Sequence, residues 1–177
     1  MKKNFLVTGV PGVGKTNLLR EACRRLASFH PEGFYTEEIR EGGVRKGFAL
    51  VSPDGKRSVL SHVNVKSRHR VGKYGVDVQL FETFLESLHL KSPAGPLVVM
   101  DEIGKMECFS AAFVSLAKEL LDGAGVVVAT VALKGPGFIS EVKRRSDVVI
   151  YEVTERNRDS LAQRLATDIQ EALRSFE

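Results

Sequence analysis

Residues 9–16 read GVPGVGKT, and what stands on either side of them decides the fold. Before them, NFLVT (4–8) is a short apolar run with β-branched character, the pattern of a strand. After them, KTNLLREACRRLASF sets Leu18, Leu19, Ala22, Cys23 and Leu26 on one face. Arg20, Glu21, Arg24 and Arg25 fall mostly on the other, which predicts an amphipathic helix of about 14 residues. It closes near His30-Pro31. Strand, glycine turn and helix, with the spacing G-x-x-x-x-G-K-[ST], are the context in which a loop cradles phosphate. Glycines let the backbone curl until several N–H groups converge on one anion. The helix points its positive end at the same anion. Gly9, Val10, Pro11, Gly12, Val13, Gly14, Lys15 and Thr16 are therefore the candidate nucleotide-binding positions. Lys15 is expected to reach β- and γ-phosphates, and the Thr16 hydroxyl to coordinate Mg2+. The plain alternative, a tight glycine turn with a stray lysine, leaves the flanking strand and helix unexplained.

A second stretch, VVMDEIGKMEC (98–108), sets Asp101, Glu102 and Glu107 directly behind an apolar run. Acids so close repel one another unless something positive sits among them. Downstream of a phosphate loop, an aspartate ending a buried strand is the usual second anchor for Mg2+. Thr16 and Asp101 are thus the candidate metal ligands. Glu102 follows at once and is placed to orient a water for attack on the γ-phosphorus. Glu107 competes for that role; it could instead orient Lys105 or cap the helix that begins near 110. Lys15, Glu102 and Glu107 are the candidate catalytic residues. Asp-Glu after an apolar strand, with Thr130 ending the next one, resembles the P-loop class that carries a catalytic glutamate and a polar sensor, as AAA and RecA-like ATPases do.

The remaining chain fills in an α/β pattern. Residues 33–65 are β-prone segments split by Gly-Gly and Pro-Asp-Gly turns, an antiparallel insertion after the first helix. RVGKYGVD (70–77) reads as a loop. VQLFETFLESLHL (78–90) carries Leu80, Phe81, Phe84, Leu85 and Leu88 at helical spacing, and SPAG ends it. PLVVM (96–100), VVVATV (126–131) and DVVIYEV (147–153) read as strands buried on both faces, as parallel strands are. SAAFVSLAKELL (110–121) is a helix with Ser110 as N-cap, stopped at Asp122-Gly123. RDSLAQRLATDIQEALRSF closes the chain as a helix. Alternating strands and helices predict three layers around a mostly parallel sheet, in one domain spanning 1–177.

Composition narrows the chemistry. No apolar run approaches the roughly 20 residues of a membrane span. The apolar N-terminus runs straight into the glycine loop, with no small-residue cleavage site, so the expectation is a cytoplasmic protein without a membrane partner. Two cysteines, Cys23 and Cys108, form no C-x-x-C, and Cys23 falls on the buried face of its helix. His30, His62, His69 and His89 make no i, i+4 ligand pair. The net charge of +4 is mild, 7% of residues are aromatic and none is Trp. That balance argues against a nucleic-acid partner, which would want a stacking platform.

Nearly end to end, the chain resembles the small stand-alone P-loop nucleoside-triphosphatases, the family of the cancer-related nucleoside-triphosphatase and its bacterial and archaeal relatives. GVPGVGKT (9–16), GFYTEEIR (33–40), RVGKYGVD (70–77), DEIGKMEC (101–108) and VTERNRDSL (153–161) carry the resemblance. It implies a P-loop NTPase fold with Walker A and Walker B motifs. It also implies slow, Mg2+-dependent hydrolysis of ATP, GTP, CTP, UTP and TTP to the diphosphate and phosphate. By the same analogy, the loop at 156–159 contacts the base, with Asn157 as candidate; the alternative is that Asn157 and Asp159 cap the last helix.

Cleavage at the γ-phosphate usually wants one more cation. Arg40, Arg45, Arg68, Arg70, Lys73, Lys143, Arg144 and Arg145 are the candidates, and spacing does not choose among them. A cation from a second copy would require self-association. Two rival readings stand beside hydrolysis: a kinase whose acceptor sits in the polar insertion, and an ATPase stimulated by nucleic acid through the basic clusters at 66–70 and 143–147.

Overall fold

The computed structural model describes residues 2–90 and 95–175. In chain order its elements are β1 (Asn4–Thr8), α1 (Lys15–Arg25), β2 (Glu32–Glu41), β3 (Val44–Val51), β4 (Arg57–His62), β5 (Arg70–Val71), β6 (Tyr74–Val76), α2 (Val78–Ser87), β7 (Leu97–Ile103), α3 (Ala111–Asp122), β8 (Val126–Val131), α4 (Phe138–Lys143), β9 (Val148–Glu152) and α5 (Arg158–Arg174). Short 3-10 turns follow α1 at Ala27–Phe29 and β7 at Glu107–Phe109. The turn expected at SPAG falls mostly outside the described residues.

All nine strands join one sheet in the order β5-β6-β4-β3-β2-β7-β8-β1-β9. β2, β7, β8, β1 and β9 run parallel to their neighbours. β2, β3, β4, β6 and β5 pair antiparallel. The sheet is therefore mixed, not mostly parallel. Residues 33–65 form antiparallel hairpins after the first helix, as expected. β2 pairs with β7 through Glu32–Phe34 and with β3 through Tyr35–Glu41, so the hairpins continue the central sheet. The stretch 70–77, expected as a loop, supplies β5 and β6 at its edge.

Strand alternation builds two cores. Phe5, Val7, Leu97, Val99, Val126 and Val128 face α1 and α5. Leu6, Val98, Met100, Val127 and Ala129 face the other way, toward Phe81 and Phe84 of α2 and Phe113 and Leu116 of α3. β1, β7 and β8 are buried on both faces, which is why they read as unbroken apolar runs. Phe34 is fully buried and meets Phe81, Phe84 and Phe113 edge-on. Leu80, counted on the apolar face of α2, lies exposed instead. Ser110 caps α3 as expected, accepting from the Phe113 amide at 3.0 Å. Helix α4 has no counterpart in the sequence reading; Phe138, Ile139 and Val142 bury it in one turn and a half.

Candidate active site

The loop between β1 and α1 sits where the parallel strands end. Gly12 and Gly14 take φ of 79° and 106°, left-handed values that favour glycine. At Gly9 a Cβ would come within 2.8 Å of the Val153 carbonyl oxygen, so the loop lies close against the segment that follows β9. Arg158 ties the loop from the other side, donating to the Val13 carbonyl at 3.4 Å. Helix α1 starts with no side-chain cap and no acid in its first turn. Its positive end is thus open toward the loop.

Four elements converge on one carboxylate. Asp101, 1% exposed, accepts at Oδ2 from the Thr16 hydroxyl at 2.7 Å and from both the amide and the hydroxyl of Thr36 at 3.2 Å. At Oδ1 it accepts from the Thr130 hydroxyl at 2.5 Å. The sequence reading anticipated Thr16 and noted Thr130. It missed Thr36, although GFYTEEIR was among the quoted stretches, because nothing local says that β2 lies beside β7. The set is all oxygen, three hydroxyls and a carboxylate at a strand end, and it suits a hard divalent cation.

Lys15 donates to the Gly9 carbonyl at 3.1 Å and lies 3.8 Å from Glu102. Here is the positive partner of the acid cluster. The β7–β8 register shifts between Met100 and Ile103, just where Asp101 and Glu102 stand. Glu102 keeps 30% of its side chain exposed, whereas Glu107 is buried. Both carboxylates converge on Gly104: a Cβ there would meet a Glu102 oxygen at 2.6 Å and a Glu107 oxygen at 2.9 Å. Burial pushes the Glu102 carboxyl up, opposed by the Lys15 ammonium and reinforced by Asp101. Glu107 lies well above the usual carboxyl range, chiefly by burial and next by the charge of Glu102. The neighbouring Cys108 thiol is pushed up to about 12, again by burial first.

Asn157 lies in the turn between β9 and α5. It occupies the N-cap position of α5 but makes no side-chain cap bond there. Its Oδ1 accepts from the Thr154 amide at 2.8 Å and its Nδ2 donates to the Glu152 carbonyl at 2.9 Å, closing the turn after β9. Cys23 is buried beside Tyr35, and its thiol is pushed up to about 11. Among the described residues, no helix is long and apolar enough to cross a membrane.

Comparison with known proteins gives a consistent answer. The family model described as NTPase matches residues 4–166. A nucleoside-triphosphatase THEP1 from Thermotoga sp. (strain RQ2) is 42% identical, over 89% of this chain and 90% of that protein. The human cancer-related nucleoside-triphosphatase is 38% identical, over 96% of this chain and 98% of that one. Its solution structure superposes with a TM-score of 0.82, covering 97% of this chain and 98% of that chain at 37% identity. The crystal structure of THEP1 from the hyperthermophile Aquifex aeolicus gives a TM-score of 0.81, covering 94% and 99% at 32% identity. Sequence and architecture agree along almost the whole length, and the chain belongs to the NTPase family.

Proposed function

We propose that the chain, working as one P-loop domain over residues 1–177, binds nucleoside triphosphates at the 9–16 loop. It hydrolyses them to the diphosphate and phosphate with Mg2+ as cofactor. The observation that carries this reading is the 2.7 Å bond between Thr16, at the start of α1, and Asp101, at the end of β7. It joins the phosphate loop to the acid cluster at one point. The relatives named as nucleoside-triphosphatases support the same activity.

Thr16 and Asp101 would hold the cation, which supplies charge neutralisation at the β- and γ-phosphates. Thr36 and Thr130 fix the Asp101 carboxylate from two sides, so it does not swing when substrate arrives. The open end of α1 and the loop amides bind the phosphates. Lys15 leaves Glu102 for the phosphates, and the carboxylate it leaves behind becomes more basic. Glu102, raised by burial and open to solvent, then takes the proton of the attacking water. Glu107, buried and with its carboxyl raised well above the usual range, would back Glu102 across Gly104. Asn157 holds its own turn with one N–H and its carbonyl oxygen, which fixes its side chain there rather than leaving it free to reorient toward one particular base. Broad use of ATP, GTP, CTP, UTP and TTP follows.

The test is phosphate release from each triphosphate, with and without Mg2+. Lys15→Ala should abolish binding or turnover. Glu102→Gln should keep Mg-nucleotide binding and lose at least about tenfold in turnover. Normal turnover in Glu102→Gln together with loss in Glu107→Gln would reverse the roles of the two acids. A phosphorylated acceptor forming faster than free phosphate would replace hydrolysis by a kinase activity.

A further inference from the structure

The eight basic residues that sequence spacing could not rank are separated by the fold. Arg40 bonds Glu38 and the Gly43 carbonyl, and Arg45 bonds Glu38 and the Tyr74 hydroxyl. Arg70 is spent on the Val65 and Lys73 carbonyls, and Lys73 lies over the Tyr74 ring. Arg145 is locked between Asp122 and Asp147. Arg68 and Arg144 are exposed. Lys143 differs from all of these. It is the last residue of α4, and its ammonium donates to the carbonyls of Ala132 at 2.6 Å and Leu133 at 2.7 Å. Those two residues directly follow β8, the strand whose end carries Thr130. The ammonium is therefore fixed at the same end of the sheet as Asp101.

Its electrostatic partners are the two groups at the centre of the site. Glu102 attracts it and Lys15 repels it, while partial burial draws its ammonium down. Glu102 is thus the shared counter-charge of Lys15 and Lys143, and both ammoniums are placed to meet an anion that enters there. An ammonium has three protons. Two are bound to carbonyls, which removes the side-chain entropy a free lysine would lose on binding. The third has no acceptor among the described residues.

Building on the hydrolytic reading, we propose that Lys143 is the additional cation at the terminal phosphate, supplied from within the chain, so that one copy holds a complete site. During turnover the water oxygen forms the new bond to the γ-phosphorus, its proton passes to Glu102, and the bridging P–O bond breaks. The electron pair stays on the departing diphosphate. Lys143 sits against the charge on the γ-oxygens, and Thr16 and Asp101 would hold the cation that adds to the charge neutralisation by Lys15.

Lys143→Gln is the informative variant, because it removes the charge while keeping a polar donor with two protons, one bond shorter than the ammonium. Expected are an unchanged diphosphate affinity within about twofold and a turnover at least about 100-fold lower, on the scale of a finger cation. Capture of Mg-ADP with aluminium fluoride, a mimic of the transferring phosphoryl group, should be lost in the same variant. Lys143→Arg should restore both in part. A merely structural lysine would instead lower the melting temperature and weaken diphosphate binding while leaving aluminium fluoride capture intact. Turnover of Lys143→Gln within threefold of the wild type overturns the proposal while leaving hydrolysis standing. Absence of phosphate release from the wild type overturns the hydrolytic reading itself. Should the variant not fold, dilution of the wild type decides. A rate per subunit that stays flat across a hundredfold dilution is required, and a rate falling with concentration places the cation on a second copy.

Discussion

Gly104 shows how one residue can hold a site open without touching substrate. Its backbone is in an ordinary region, so conformational freedom is not what keeps it a glycine. Space is: a methyl would push on a Glu102 oxygen and a Glu107 oxygen at once. Gly104→Ala should therefore leave the melting temperature within a few degrees and cut turnover at least about tenfold, as displacement of a proton-transfer group does. Equal turnover in steady-state phosphate release would mean the two acids yield freely. Glu107 makes a separate prediction through pH. Its folded pKa is raised above its unfolded one, because burial favours the neutral acid. The stability this gives is fully present below the usual carboxyl range near pH 4 and is lost as pH rises toward the folded value. Glu107→Gln, neutral at every pH, should melt higher than the wild type at pH 8, and the gap should close toward pH 4. Each kcal/mol relieved is worth about 2–4 °C in a chain of this size. A gap independent of pH would mean that the buried carboxyl is not what titrates.

At the scale of elements, the turn between β9 and α5 supports the phosphate loop from below. The Val153 carbonyl occupies the space a Cβ on Gly9 would need, and Asn157 staples the two residues flanking Val153, Glu152 and Thr154. Asn157→Ala should weaken binding of every triphosphate by a similar factor, about fivefold, on the assumption of about 1 kcal/mol for lost bonds. A base-reading Asn157 would instead change the ranking among ATP, GTP and CTP, and competition between them would show it. RNRD fits a base contact and a helix cap equally in the sequence, and the partner distances show only that the Asn157 side chain closes the turn instead of capping α5. Other elements were plain from local pattern. β1, β7 and β8 are buried on both faces and read as apolar runs, and the Ser110 cap precedes an amphipathic α3. Helix α4 escaped notice because it is six residues long and flanked by glycines and basic residues, too short for periodicity to register.

The whole molecule is where sequence reading ran out, and the reason is pairing partners. Gly-Gly and Pro-Asp-Gly mark the hairpins between β2, β3 and β4, but no local feature says that β2 begins inside the parallel sheet. That one fact makes the sheet mixed and carries Thr36 to Asp101. The three hydroxyls around Asp101 come from 85, 65 and 29 positions away along the chain. The acid cluster and the phosphate loop were legible; the shell that orients Asp101 was not, because it exists only once the halves are joined. The joint is narrow. β2 meets β7 through Glu32, Gly33 and Phe34 before turning to β3. Gly33 stands in the middle with φ of 117°, and a Cβ there would be driven into the Val99 backbone carbonyl. Backbone cannot step aside as a side-chain tip can. Gly33→Ala should cost on the order of 3 kcal/mol, lowering the melting temperature by roughly 6–12 °C. It should also weaken turnover, since Thr36 lies three residues along the same strand. Gly42 is the control. It too has positive φ, at 55°, but sits in the β2–β3 turn with nothing within 4 Å of a Cβ. Gly42→Ala should cost only about 1 kcal/mol and leave turnover unchanged. If the two variants melt together and hydrolyse alike, the parallel and antiparallel halves are not held at Gly33, and Thr36 reaches Asp101 by some sturdier route than this three-residue seam.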